Sequence, residues 1–435
     1  MTRNPIRGLA TLLVAGSMVL LSACSGSTAG STPSASALPS LDPSKQTTIT
    51  FMEAMSSGAQ QAALKKMTAD FEAQHPNVTV QLQEQPNYGA LQTKITAQVA
   101  ANSAPTIAQV YENWADELSS SNVIVPLDDY VASSKDYKDF YSGIQADMKL
   151  RDGKNWMWPF NKSVVVQYYN ESLVPKAPAT WDEFAQTAKS VSKNGVVALS
   201  IDPGSETSPA GGTALFEILA ESFGTPVFAK DGTPQFDSDA AKKALNYLVD
   251  LKKSNALALG TNYPGQTALG NQTGAFDVSS VASYPFNQKA VGGKFVMGVA
   301  PLPAGTAKTA NQLAGTNIAM FSSADDQQKA AAWAYMQFLT SPAEMAYWAS
   351  QTGYLPVVKT AMDEQAMKDY LAKNPWVGDV VKQLDTATPL PPVSYVNKAS
   401  GALSTAISSA VNGTASVDDA LAQAQAAGKK AASES

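Results

Sequence analysis

Apolar residues alternate at Ile49 and Phe51, fall on one helical face at Leu64, Met67 and Phe71, and alternate again at Val78, Val80 and Leu82. That succession predicts strand, helix, strand. Leu91, Ile95 and Val99 repeat the helical spacing, and residues 106–111 read as a third strand. Crossovers between parallel strands are right-handed, so the pattern predicts an α/β fold built on a doubly wound sheet. Such sheets bind ligands at the carboxyl ends of their strands. Glu53 ends the first strand, Glu112 ends the third, and Tyr88 opens the second helix behind Asn87, a residue suited to N-capping. All three are expected at one rim.

Further along, residues 164–169 read as a buried strand, and Thr180-Trp181-Asp182-Glu183 fits a capping box. Residues 196–201 read as another strand, and 327–339 as a helix. Ser341-Pro342-Ala343-Glu344 is a second box with Pro at the first helical position, and Ser416 opens a last helix expected to end near Gly428. The Gly/Pro-rich segments 204–212, 263–274 and 301–305 read as loops. A body of roughly 390 residues is too large for one core and predicts two lobes.

The chain begins with a different pattern. Arg3 and Arg7 precede an apolar stretch, residues 9–21, that is shorter than the ~20 residues of a membrane span. Residues 1–23 therefore read as a signal peptide. Cys24, the only cysteine, follows Leu21-Ser22-Ala23, which resembles the lipobox of bacterial lipoproteins. The resemblance implies acylation of Cys24 and a lipid anchor outside the cytoplasm; an ordinary signal peptide with an incidental cysteine is the alternative. Residues 25–44 are Ser, Gly, Thr, Ala and Pro with little to bury, and are expected to stay disordered as a leash.

Composition excludes several functions. The formal charge of −6 becomes −8 once Arg3 and Arg7 leave with the leader, which argues against nucleic acid and anionic membranes. His75 is the single histidine, read as a loop residue, so a Ser/His/Asp triad, a thiolate site and a Zn cluster lack their ligands, and no cofactor is expected. Arg151, in an apparent exposed turn, is the only arginine after the leader, leaving one candidate for bidentate recognition of phosphate or carboxylate. A neutral ligand fits that inventory.

Trp158-Pro159-Phe160-Asn161-Lys162-Ser163, Gln167-Tyr168-Tyr169-Asn170, Pro178-Ala179-Thr180-Trp181-Asp182-Glu183-Phe184, Phe338-Leu339-Thr340-Ser341-Pro342-Ala343-Glu344 and Thr352-Gly353-Tyr354-Leu355-Pro356 together resemble family 1 of the bacterial extracellular solute-binding proteins of ABC importers. Asn87-Tyr88, the run from Ala104 through Glu112 and Lys373-Asn374-Pro375 are similar to the subgroup that binds glycerol-3-phosphate or glycerophosphodiesters. The family resemblance implies two doubly wound lobes joined by a hinge, residues 48–158 with 314–340 and residues 159–313 with 341–435, preceded by an anchored linker at 24–47. It implies a monomer that captures a small-molecule solute and delivers it to ABC permease subunits. By the subgroup likeness, ligand contacts fall on Tyr88, Glu112, Ser163, Ser283, Gly315 and Tyr354. Asn397 stands where the subgroup carries its phosphate-gripping arginine, and residues 205–212 lack its tryptophans. Both departures favour a neutral sugar over a phosphate-bearing solute.

Residue chemistry agrees. An ionised Glu112 accepts from hydroxyl donors, and Tyr88 and Tyr354 offer flat faces to the CH side of a ring. Trp156 and Trp158 are either further stacking faces or core. Lys162 and Lys398 are the cations near the expected pocket that could replace the missing arginine, and they read first as solvated surface lysines. The rival classes are a secreted glycosidase using two carboxylates at one rim, and a structural lipoprotein or adhesin.

Overall fold

The computed structural model describes residues 38–205, 208–209 and 211–435. Cys24, the leader and the leash up to Ala37 lie outside the described residues. The leash as expected is free to Ser44, yet from Leu38 it is docked: Leu38 and Leu41 pack on the main core, and Asp42 exchanges backbone bonds with the Gln327 side chain at 3.0 and 3.1 Å.

The first alternation folds as β1 (Thr47–Glu53), and β2 (Val78–Glu84) lies parallel to it along its whole length. The intervening helix, Gly58–Gln74, buries Leu64, Met67 and Phe71. A second helix, Tyr88–Ala100, starts where Asn87 accepts the Ala90 N–H at 2.9 Å. β3 (Ile107–Val110) then adds to the other edge of β1. It is shorter than expected, because Glu112 does not end the strand but begins a helix, Glu112–Ser120.

The remaining strands are β4 (Trp158–Asn170), β5 (Leu199–Ile201), the two-residue hairpin β6 (Gly204–Ser205) and β7 (Ser208–Pro209), β8 (Leu257–Leu259), β9 (Phe276–Ser280), β10 (Met297–Pro301) and β11 (Leu313–Met320). The main sheet runs β2-β1-β3-β11-β4-β9-β5-β8, with β10 also on β4. Pairings are parallel at each end and antiparallel in the centre. β4 is the axis. Its residues 158–164 pair with β11, and residues 165–169 pair with β9.

Two large cores form along this sheet. One gathers Phe51, Phe71, Trp158, Phe160, Tyr335 and Trp348; the other gathers Trp181, Phe184, Phe216, Leu245, Phe276 and Leu403. Each such side chain contributes roughly 1.5–3 kcal/mol by leaving water. β4 supplies both, with Phe160 and Val166 in the first and Val165 in the second.

Several local expectations are corrected. The 263–274 segment is not all loop, since Pro264 at the first helical position starts a helix, Pro264–Gly270. The last helix, Val417–Ser433, runs through Gly428, where the lack of a Cβ lets Phe236 approach rather than stopping the helix. At Thr180 the hydroxyl caps Glu183 N–H at 3.1 Å, but the Glu183 carboxylate accepts from Ala179, one residue before the box partner. Ser341 makes no side-chain cap, and the complete capping box belongs to Asp325 and Gln328 at the preceding helix.

Candidate functional site

The carboxyl ends of β1 and β3, the starts of the two helices that follow, and the start of β11 meet over a cleft. It consists of two joined cavities of about 460 and 440 Å³ that share Tyr88, Tyr111, Ala314 and Gly315 as walls. Glu112 and Asn397 line the first. Ser163, Ser283 and Tyr354 line the second, while Tyr88 and Gly315 face both. All seven residues singled out for solute contact thus come together. The opposite wall of the first cavity is made by the helices Gly211–Phe223 and Val396–Val411.

Tyr88 is held from behind. Asn161 Nδ2 donates to its hydroxyl at 2.9 Å, Gln109 Nε2 donates to Asn161 Oδ1 at 2.9 Å, and Gln109 Oε1 accepts from Ala54 N at 2.7 Å. Thr316 completes the set with bonds to both amides. Gln109, Asn161 and Thr316 are fully buried, so this polar chain is sealed and each member needs the others. Tyr354 stacks on Trp348 with ring centroids 5.6 Å apart, and its hydroxyl is 3.5 Å from that of Tyr88.

Glu112 does not stand as a simple ionised acceptor. Lys162 Nζ lies 3.2 Å from its Oε1 and 2.5 Å from Asp147 Oδ2, with both Lys162 and Asp147 side chains wholly buried. Asn317 Nδ2 donates to both carboxyls, at 3.2 and 2.7 Å. One ammonium faces two carboxyls, so the trio is neutral when a single proton is kept. Burial, then the neighbouring Asp147, push Glu112 up to about 8, against the smaller opposing pull of Lys162. When that proton is kept, the carboxyl that carries it can donate as well as accept.

The expectation of a solvated Lys162 is overturned, because its position on β4 places it under Glu112 and not at the surface. Lys398 is exposed and paired with Glu434 at 2.6 Å. Gly315 sits at φ +92°, and a Cβ there would lie 1.9 Å from Asn161 O. Its glycine is required by the β4–β11 approach. Trp158 is core, its Nε1 donating to Met336 O and Thr340 Oγ1, and Trp156 donates to Asp152; neither lines the cleft. Glu53 is buried with its carboxylate turned onto Met55 N–H and also does not line it.

Several wall residues escaped the sequence reading, Tyr111 and Glu217 among them. Tyr111 packs edge-on between Tyr88 and Trp114, with ring centroids 5.2 and 5.1 Å away. Glu217, on the helix Gly211–Phe223, accepts from Ser400 Oγ at 2.9 Å and Gln312 Nε2 at 3.0 Å, and burial lifts it to about 7 despite those bonds. Among the described residues, Glu112 and Glu217 are the only acidic side chains of the lining, and none of its described members is a lysine or arginine.

Comparison with known proteins supports one family. The sn-glycerol-3-phosphate-binding periplasmic protein UgpB of Escherichia coli (strain K12) is 25% identical over 372 residues, 79% of this chain and 82% of that one. The crystal structure of UgpB from Mycobacterium tuberculosis in complex with glycerophosphocholine superposes with a TM-score of 0.78 at 22% identity, covering 88% of this chain and 98% of that one. A cyclic alpha-maltosyl-1,6-maltose binding protein from Arthrobacter globiformis superposes with a TM-score of 0.76 at 22% identity, covering 89% and 99%. These likenesses show the fold, two doubly wound α/β halves of the periplasmic-binding-protein kind. Residues 66–375 match the sequence model of the bacterial extracellular solute-binding proteins, the family to which this chain belongs.

Proposed function

We propose that the chain is the solute-binding component of an ABC importer that takes up a neutral, hydroxyl-rich solute, a mono- or oligosaccharide, and hands it to the permease. One observation carries this reading: the described residues of the cleft wall are tyrosines, hydroxyls, amides and two carboxyls, with no cation among them. Sugar hydroxyls pair with such groups, and ring CH faces lie on tyrosines. A phosphate would find no cation among the described wall residues, and the Lys162 ammonium behind Glu112 is already shared by Glu112 and Asp147. In this reading Tyr88, Glu112, Ser163, Ser283, Gly315, Tyr354 and Asn397 contact the solute, joined by Tyr111 and Glu217.

Two lobes close on it, the bound state being favoured because solute touches both. Their expected bounds, 48–158 with 314–340 and 159–313 with 341–435, shift in one respect: Met345 through Ala387 pack with Phe51 and Phe71 and so move with the first lobe. The protein works as a monomer outside the cytoplasm, tethered through acylated Cys24. No helix among the described residues is long and apolar enough to cross a membrane. Binding proceeds without turnover, so the pure protein releases no product from chromogenic glycosides.

A glycerophosphodiester is the second reading, favoured by what UgpB of Mycobacterium tuberculosis is bound to. Calorimetry with a sugar panel, glycerophosphocholine and sn-glycerol-3-phosphate decides. Sugar binding is expected; a tight phosphodiester with no sugar binding reverses the ranking.

A further inference from the structure

Tyr263 has φ 60° and ψ 52°, the left-handed region, and is 76% exposed. The other described non-glycine residues at positive φ are Asn102, Asn122, Asn194, Asn255, Asn262 and Gln272. Short amide side chains enter this region with local polar compensation, whereas a bulky ring brings only the crowding of its Cβ against the backbone. Tyr263 also precedes Pro264, a position that ordinarily holds extended backbone, and its side chain makes no cap bond. A strained, solvent-facing aromatic of this sort gains nothing for the fold.

The surroundings nevertheless impose the conformation. Asp202 Oδ2 accepts the Asn262 N–H at 2.9 Å, Tyr263 O accepts the Thr267 N–H at 3.1 Å, and Gly260 lies so close to Pro264 that a Cβ would come within 2.7 Å of its ring. Strain fixed this firmly is found where a side chain must be presented.

The ring is presented to the second cavity. Tyr263 lines it with Tyr88, Tyr111, Tyr354 and Phe286, and Phe286 is itself 43% exposed. Of the three large apolar side chains exposed among the described residues, two therefore stand at this one opening. Burial foremost, and the Tyr263 phenol among the lesser causes, raises the pKa of both Tyr111 and Tyr354, with which it shares the lining of the second cavity.

We propose that Tyr263 is a solute-contact residue, its ring held at the cleft mouth to cover the apolar CH face of a pyranose bound against Tyr88, Tyr111 and Tyr354. This rests on the sugar reading above and adds to it the class of contact and the residue that makes it. Backbone strain is retained at 263 because the uncovered ring completes the cavity only when a sugar lies beneath it.

The test replaces Tyr263 by Asn, which accepts the left-handed conformation and can cap the following helix. Maltose, maltotriose and trehalose are titrated into the full chain, alongside thermal unfolding without sugar. For Tyr263→Asn the unfolding temperature is expected to hold or rise, while affinity for the sugars that the parent binds falls about ten- to a hundredfold. Tyr263→Trp is expected to keep binding. Parent-like affinity in Tyr263→Asn overturns the proposal, as does a fall in unfolding temperature that accompanies the lost affinity. A parent chain that binds none of the three sugars, even after any co-purified solute is removed, overturns the sugar reading and this proposal together.

Discussion

The Asn161 side-chain amide donates to the Tyr88 hydroxyl across 2.9 Å, from a position with no exposure to solvent. With that oxygen already accepting, the Tyr88 proton is left to point toward the cleft or toward Tyr354. In the proposed function, the proton turned to the cleft is the one Tyr88 would donate to solute.

Removing the amide tests the arrangement. Asn161→Leu should weaken solute affinity about tenfold and cost about 1–3 kcal/mol of stability by leaving Gln109 and Thr316 short of a partner. In a Tyr88→Phe background the same change should have little further effect on affinity. Calorimetry on the four members of this double-mutant cycle measures the coupling, and additive losses would separate Asn161 from Tyr88.

Lys162 neutralises a buried acidic pair. Lys162→Met strips Asp147 and Glu112 of their ammonium and is expected to destabilise by about 3–5 kcal/mol in urea unfolding. Adding Asp147→Asn to that variant should restore most of the loss. A single variant as stable as the parent would show that the trio carries no charge worth compensating.

Stability should fall as pH rises. Burial foremost lifts Glu53 to about 7, Glu112 to about 8 and Glu217 to about 7, from an ordinary 4.5. Between pH 4.5 and about 8 the folded chain therefore holds protons that the unfolded chain has released, and the gain they confer disappears as pH climbs through the folded values. The unfolding temperature should be several degrees higher near pH 5 than near pH 8.5. Glu217→Gln should flatten part of that slope in scanning calorimetry; an unchanged slope would take Glu217 out of it.

Gly315→Ala should cost about 2–4 kcal/mol. The backbone at φ +92° crowds any Cβ, and the new methyl would meet Asn161 O at 1.9 Å. Chemical unfolding checks the loss, and because Gly315 faces both cavities, affinity should fall with it.

Much of the architecture could be read before any coordinates. Leu64, Met67 and Phe71 occupy the buried face of their helix, and Asn87 caps as its type suggested. The site was less transparent. Lys162 looked like a surface residue because lysine usually is, yet it lies within β4, where every residue from Trp158 to Tyr168 is buried, and the apolar run that follows it was the available signal. Glu217 carried a similar one, standing among Leu215, Phe216, Ile218 and Leu219 in a helix buried along most of its length. Tyr263 carried none, since a tyrosine before proline in a Gly-rich stretch reads as loop and its backbone angle depends on Asp202, sixty-one positions earlier in the chain.

β4 supplies one unbroken ribbon beneath both cores, laced to β11 at its start and to β9 and β10 further on. Rocking one core against the other must twist this ribbon while its lacing holds. In the closure proposed above, the torsional stiffness of β4 would therefore oppose the bound state and favour reopening once solute leaves.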